Sequence, residues 1–195
     1  MALQTQHLLS FGRVLLGAFV FTELAVASSS ALVLPAILLA CFLDYADGRV
    51  ARANNTASAR GRLIDNLCDA AFLALCFAAF ARNEIWSDPV LGSATRYWDQ
   101  ANWLPLIMLA ASFGAYMIRW AISARMGVEP VPSLRGHSAG IFNYVLAVLG
   151  GVAVLPGFVM TPWILEPSFI TVALLNATAT SENLLLLAQT IHGSS

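Results

Sequence analysis

Between Asp44 and Asp69 the chain reads DYADGRVARANNTASARGRLIDNLCD, which sets four aspartates and four arginines between two strongly apolar stretches. An ionised group in low-dielectric surroundings is costly unless it is paired or binds a metal, so these charges imply a task. On a helix turning about 100° per residue, Asp44, Asp47, Gly48 and Ala51 fall within roughly a third of a turn. That face carries two carboxylates, a bare backbone patch and one small side chain. Gly61, Asp65 and Asp69 recur at every fourth residue and form a second stripe that drifts by only about 40° per step. With a turn at Asn54, Asn55, Thr56 and Ser58, the two faces meet as an antiparallel pair and four carboxylates converge. Like charges that close repel unless cations lie between them. An all-oxygen set suits a hard divalent ion, Mg²⁺ or Mn²⁺, and offers nothing typical of structural zinc. Two such ions clamp a diphosphate and stabilise charge on the attacking and leaving oxygens of an in-line displacement. The structural alternative makes Asp44 and Asp47 cap or loop charges and Asp65 and Asp69 interface charges. Solvated charges, however, have no reason to fall on two stripes spaced by Gly and Ala.

The pattern Asp44-x-x-Asp47-Gly48-x-x-Ala51-Arg52, then eight residues, then Gly61-x-x-x-Asp65-x-x-x-Asp69 resembles the signature of the CDP-alcohol phosphotransferase family in every fixed position. Outside it the similarity is one of general build. The resemblance implies that Asp44, Asp47, Asp65 and Asp69 surround two ions, Mg²⁺ or Mn²⁺, and that Asp69 is also the general base. It implies that the cytidine diphosphate rests against Gly48, Ala51 and Gly61, with Arg52 near its phosphates. Ser10 and Arg13, a polar and a basic residue at the start of the first span, then border the nucleotide, and a homodimer is implied as well. Small residues also promote close helix packing in membranes. Arg49, Arg60 and Arg62 serve equally as topology determinants or headgroup contacts.

The rest of the sequence has to hold these groups at a membrane surface. Of 195 residues 58% are hydrophobic and 11% charged, with a mean hydropathy of +0.73. A soluble domain is nearer a quarter charged, so the fold class is an all-α integral membrane protein read as one domain. A formal net charge of −1 argues against a nucleic-acid partner. Cys41, Cys68 and Cys76 lack disulfide or metal spacing and read as packing residues. The start, MALQTQH, lacks the basic residues and cleavage site of a secretory signal, so the first apolar run is retained.

About six transmembrane helices are predicted, at about 20 apolar residues each: residues 8–27, 31–43 continuing as a polar helix, 63–81, 103–120, 138–155 and 169–188. The last is interrupted by Asn176, Ser181, Glu182 and Asn183 and has an interfacial alternative. All ten basic residues are arginine. With the N-terminus inside, Arg13, Arg49, Arg52, Arg60, Arg62, Arg119, Arg125 and Arg135 fall on the cytoplasmic side, and only Arg82 and Arg96 outside. Both termini and the aspartate cavity are then cytoplasmic, in a multi-pass protein of a bacterial-type inner membrane. Glu23, near the outer boundary, is expected to reach the interface.

Arg119, Arg125, Arg135 and His137 surround the fourth-to-fifth connection, on the aspartate side. They either follow the positive-inside bias or bind an anionic acceptor such as the phosphate of glycerol 3-phosphate. LRGHSAG over residues 134–140 does not match the pattern of inositol-phosphate members. The expected activity is transfer of a substituted phosphoryl group from a CDP-linked lipid donor, CDP-diacylglycerol first, to a small alcohol, releasing CMP among the membrane lipids. Two other classes stand beside it. One is a Mg²⁺-dependent membrane prenyltransferase, though such enzymes have two separated aspartate motifs. The other is a divalent-cation transporter, though these acidic residues cluster at one membrane face.

Overall fold

Apolar stretches this long can satisfy their backbone only as helices, and helices are what forms. The computed structural model describes residues 2–53, 59–83, 85, 101–158 and 162–192, with backbone only in 2–8, 51–53, 59–60, 101, 162–163 and 166. The elements are α1 (Ala2–Val26), α2 (Val33–Ala53), α3 (Ala59–Arg82), a short 3₁₀ turn (Ala101–Trp103), α4 (Leu104–Arg125), α5 (Leu134–Ala153) and α6 (Pro162–His192). No strand occurs among the described residues.

Five of these six helices are long and apolar enough to cross a membrane, and α2 is the exception. Its apolar run stops at Leu43, and the same helix continues through Asp44, Asp47 and Arg49. The interrupted last segment is instead one continuous helix of 31 residues, about 46 Å at 1.5 Å per residue. Its polar residues are absorbed locally. Asn176 and Asn143 of α5 exchange side-chain hydrogen bonds at 3.0 and 3.3 Å. Ser181 and Asn183 donate to carbonyls one turn back, and Glu182 accepts from the Ser133 hydroxyl and the Arg135 N–H at the start of α5.

α1 packs along both α2 and α3, α6 packs along α4 and α5, and α5 touches α2 and α3. Among the described residues α2 and α3 have no extensive contact of their own. The expected face-to-face pair is therefore replaced by a three-helix arrangement with α1 as the wedge. The core joins Val20 and Leu24 of α1, Ile37 of α2, Phe72, Cys76, Phe77 and Phe80 of α3, Leu146 of α5 and Phe169 of α6. Cys41 packs against this core, Cys68 is also buried, and all three cysteines are free. Polarity is inverted relative to a soluble protein: Arg13 is 0% exposed while Leu15, two residues on, is 72% exposed, as lipid-facing helices require.

The contact between α1 and α3 is unusually close at one point. A Cβ on Gly17 would lie 3.1 Å from the Phe72 Cα, so any larger residue would push the two backbones apart by a few tenths of an ångström. Arg13 lies one turn before Gly17, and Asp69 and Asp65 lie one and two turns before Phe72. The close approach thus seats the arginine against the aspartates. At the other end of these two helices the Asn83 amide donates to the Leu24 carbonyl at 3.0 Å. Glu23 accepts a hydrogen bond from Ser30 at 2.9 Å, so its carboxylate caps the α1–α2 connection.

Candidate active site

The four aspartates come from α2 and α3, and the group between them comes from α1. Arg13 Nη1 donates to Asp44 Oδ1 at 2.5 Å and to Asp69 Oδ1. Arg13 Nη2 donates to Asp65 Oδ1 and lies 3.7 Å from Asp47 Oδ2. Ser10, one turn earlier, donates to Asp47 Oδ2 at 2.7 Å and faces Asp65 Oδ1 at 3.4 Å. From α5 the Tyr144 hydroxyl donates to Asp69 Oδ1 at 2.6 Å, while its ring stacks on Phe72 with centroids 5.7 Å apart.

Accessibility is graded across the cluster. The Arg13 side chain is 0% exposed and Asp47 8%, whereas Asp69, Asp65 and Asp44 are 22%, 36% and 41% exposed. The cluster is therefore sealed on its α1 side and open along Asp44 and Asp65. When all four carboxylates are ionised, one guanidinium faces four negative charges, and the remainder calls for further cations.

The donor set fits hard divalent ions. One oxygen each from Asp44, Asp65 and Asp69 lies within 4.8 Å of the others. Mg²⁺ and Mn²⁺ take carboxylate oxygens of this kind at about 2 Å, so the trio would have to draw inward to share one ion. Asp47, turned toward Ser10, lies outside that trio.

The remaining expected residues divide by position. Gly48 and Gly61 are partly buried beside the aspartates on α2 and α3. Ala51 and Arg52 lie in α2, but their side chains, and that of Arg60, are outside the described residues, as is the turn expected at residues 54–58. Arg49 donates to Tyr45 on its own helix at 2.9 Å. Arg62 pairs at the surface with Glu129 of the α4–α5 connection, which Gly127 opens with a φ of 68°.

Arg119, Arg125, Arg135 and His137 do not form one cluster. Arg125, Arg135 and His137 are exposed. Arg119 is 3% exposed, and its Nη1 donates to the Val131 carbonyl at 2.7 Å. It borders a cavity of about 210 Å³ between the end of α4 and α6, lined also by Ser123, Gln189 and Thr190. Among the described residues, Arg119 Nε and Ser123 Oγ have no hydrogen-bond partner.

Tyr144 escaped the sequence reading, as did the direct pairing of Arg13 with the aspartates. A phenol within an apolar span needs an acceptor for its hydroxyl, and carboxylates were the obvious unclaimed acceptors.

The family model described as CDP-alcohol phosphatidyltransferase matches residues 4–181. The chain belongs to the CDP-alcohol phosphatidyltransferase family. It is accordingly an enzyme that takes a phosphoryl-linked group from a CDP-alcohol, and the family's use of divalent metal is matched here by the trio of carboxylates. In a CDP-alcohol phosphatidyltransferase the match spans all of α2 to α5 together with most of α1 and α6, so every residue of the aspartate cluster falls within it. Neither the comparison with curated proteins nor that with solved structures returned a match.

Proposed function

We propose that this family member transfers the phosphatidyl group of CDP-diacylglycerol to a small alcohol, releasing CMP at the cytoplasmic face of a bacterial-type inner membrane. The observation that supports this most directly is the convergence of Asp44, Asp65 and Asp69 from two helices to within 4.8 Å, at the end of an apolar bundle where a lipid donor keeps its chains in the bilayer. The split of eight arginines to two across the spans supports the sidedness. With α2 taken as a sixth crossing beside the five longer apolar helices, both termini are cytoplasmic, and a homodimer is proposed from the family resemblance.

In this scheme Asp44, Asp47, Asp65 and Asp69 hold two ions, Mg²⁺ or Mn²⁺, which when bound neutralise the diphosphate and the charge that develops on it. The acceptor hydroxyl oxygen forms a bond to the phosphorus that carries the diacylglycerol. The bond from that phosphorus to the CMP oxygen breaks, and CMP leaves with the electron pair. The hydroxyl proton passes to Asp69. Tyr144 occupies Asp69 Oδ1 and so leaves Oδ2 for the proton. Gly48, Ala51 and Gly61 give the cytidine room to approach the backbone, and Arg52, with Ser10 bordering, is the proposed partner of the phosphates.

Glycerol 3-phosphate is the acceptor we propose first. Arg119 beside its cavity is the fixed cation for an anionic group, and the exposed Arg125, Arg135 and His137 are left to the positive-inside bias. The match over residues 4–181 leaves the prenyltransferase and transporter alternatives without support.

The test uses purified protein in detergent with Mg²⁺ or Mn²⁺, CDP-diacylglycerol and a panel of alcohols. CMP release that needs both metal and acceptor is expected, and Asp69→Asn should abolish it while preserving the fold. A preparation inert toward every cytidylated donor, or one that consumes prenyl diphosphates instead, overturns the assignment.

A further inference from the structure

An arginine buried in a membrane span is expensive unless its charge is answered, and the way Arg13 is answered is specific. Both of its terminal nitrogens are directed into the aspartate cluster, which places Asp44, Asp65 and Asp69 at hydrogen-bond distance and Asp47 at 3.7 Å. Its Nε has no partner among the described residues, and its polar bonds there run through the two nitrogens that face the carboxylates. The oxygens it engages belong to the same three residues whose spacing suits a divalent ion. A guanidinium and a doubly charged cation drawn to the same carboxylates also repel each other.

We propose that Arg13 is a resident counter-cation of the aspartate cluster, which divalent ions must displace, so that loading the site with metal is coupled to how α1 is held against α2 and α3. It rests on the metal reading of the cluster. Without metal, Arg13 keeps the carboxylates apart from one another and ties α1 to both aspartate-bearing helices. Asp44 and Asp65, at the exposed edge, would be the first carboxylates to exchange the guanidinium for a divalent ion. Below that point the close contact of Gly17 with Phe72 holds the two helices together, so α1 pivots about Gly17 while staying docked. The released guanidinium is a planar donor suited to phosphate oxygens. A diphosphate arriving beside the metals offers it a new anionic partner, so metal and nucleotide each favour the state the other needs.

Removing the competitor should therefore tighten metal binding and weaken the metal-free fold. The measurements are Mn²⁺ binding by calorimetry and melting temperature in detergent, with and without EDTA, for wild type, Arg13→Gln, Arg13→Lys and Asp65→Asn. Arg13→Gln is expected to melt below wild type in EDTA, to recover more on adding Mn²⁺, and to bind Mn²⁺ about tenfold more tightly. Arg13→Lys keeps the charge but cannot bridge from two nitrogens, so it should fall between the two, and it keeps the test alive if Arg13→Gln cannot be purified. Equal or weaker Mn²⁺ binding by both Arg13 variants, with Asp65→Asn binding weaker than wild type, overturns the competitor role and leaves the metal site standing. Mn²⁺ binding that is unaffected in Asp65→Asn overturns the metal reading and this proposal with it.

Discussion

Tyr144 on α5 and Asp69 on α3, 75 residues apart in the chain, are joined by a 2.6 Å hydrogen bond from the phenol to Oδ1. The bond orients the carboxylate proposed as general base. The stacked contact with Phe72 fixes the phenol independently, so the two roles can be separated. Tyr144→Phe retains the ring and removes only the donor. A hydrogen bond to a charged group is worth about 1.5–3 kcal/mol, and kcat for CMP release should fall roughly tenfold to a hundredfold. KM for the donor should stay close to wild type, because the ring and the helix packing are retained. An unchanged kcat would remove Tyr144 from the working parts of the site.

Gly17 and Gly12 make a matched pair on α1. A side chain at Gly17 meets the Phe72 backbone at 3.1 Å, whereas one at Gly12 meets only Leu43 Cδ1 at an ordinary 3.5 Å. Gly17→Val should lower stability by about 1–3 kcal/mol through overpacking, and should lower activity further because Ser10 and Arg13 move with the helix. Gly12→Ala should melt within a degree or two of wild type, at most a few tenths of a kcal/mol. Thermal melts in detergent check both, and equal losses at the two positions would show that the close α1–α3 approach is not limiting.

What could be seen in the sequence and what could not follow from how local each feature is. The two carboxylate stripes are properties of single helices, fixed by a spacing of three or four residues, and they hold wherever the helices go. The wedge of α1 is not local. It depends on Gly17 meeting Phe72, and nothing in the spacing of either segment announces that pairing. The aspartates still converge, but around Arg13 rather than through direct contact of α2 with α3. The scatter of the basic residues was legible with more geometry: Arg119 and Arg125 are six positions apart, about 600° or two thirds of a turn out of phase, so both cannot face one ligand. The sixth span at residues 169–188 was legible, and α6 is long and apolar enough to cross; its interfacial alternative rested on polar residues whose partners hydropathy averages ignore. Asn176 is satisfied by Asn143 across the helix interface, and Ser181 by its own backbone.

That asparagine pair gives a test of α6 itself. Asn143 is 2% exposed and Asn176 0%, and each supplies a donor and an acceptor to the other. Asn143→Leu or Asn176→Leu alone leaves a buried amide short of a partner and should cost about 1 kcal/mol. The double variant should cost less than the sum, with a coupling of about 0.6 kcal/mol, the average for such pairs inside membranes. Strictly additive losses in a double-mutant cycle would mean the pair does not stabilise the α5–α6 interface.

Arg119 distinguishes acceptor classes. It is the one arginine of the α4–α5 region turned inward, and it borders a cavity of about 210 Å³ in which its own Nε and the Ser123 hydroxyl have no hydrogen-bond partner among the described residues. An anionic group entering there would satisfy both. Arg119→Gln should therefore raise KM for glycerol 3-phosphate by roughly tenfold or more, the loss of one charge-assisted hydrogen bond, and leave KM for an uncharged alcohol such as glycerol unchanged. The Nη1 bond to the Val131 carbonyl complicates the variant, since losing it also loosens the loop that walls the cavity. Ser123→Ala avoids this, because its hydroxyl has no hydrogen-bond partner among the described residues: it should raise KM for the anionic acceptor by a smaller factor without lowering the melting temperature. If both variants change KM equally for charged and neutral acceptors, the cavity serves the packing of α4 against α6 and the acceptor's anionic group is held elsewhere.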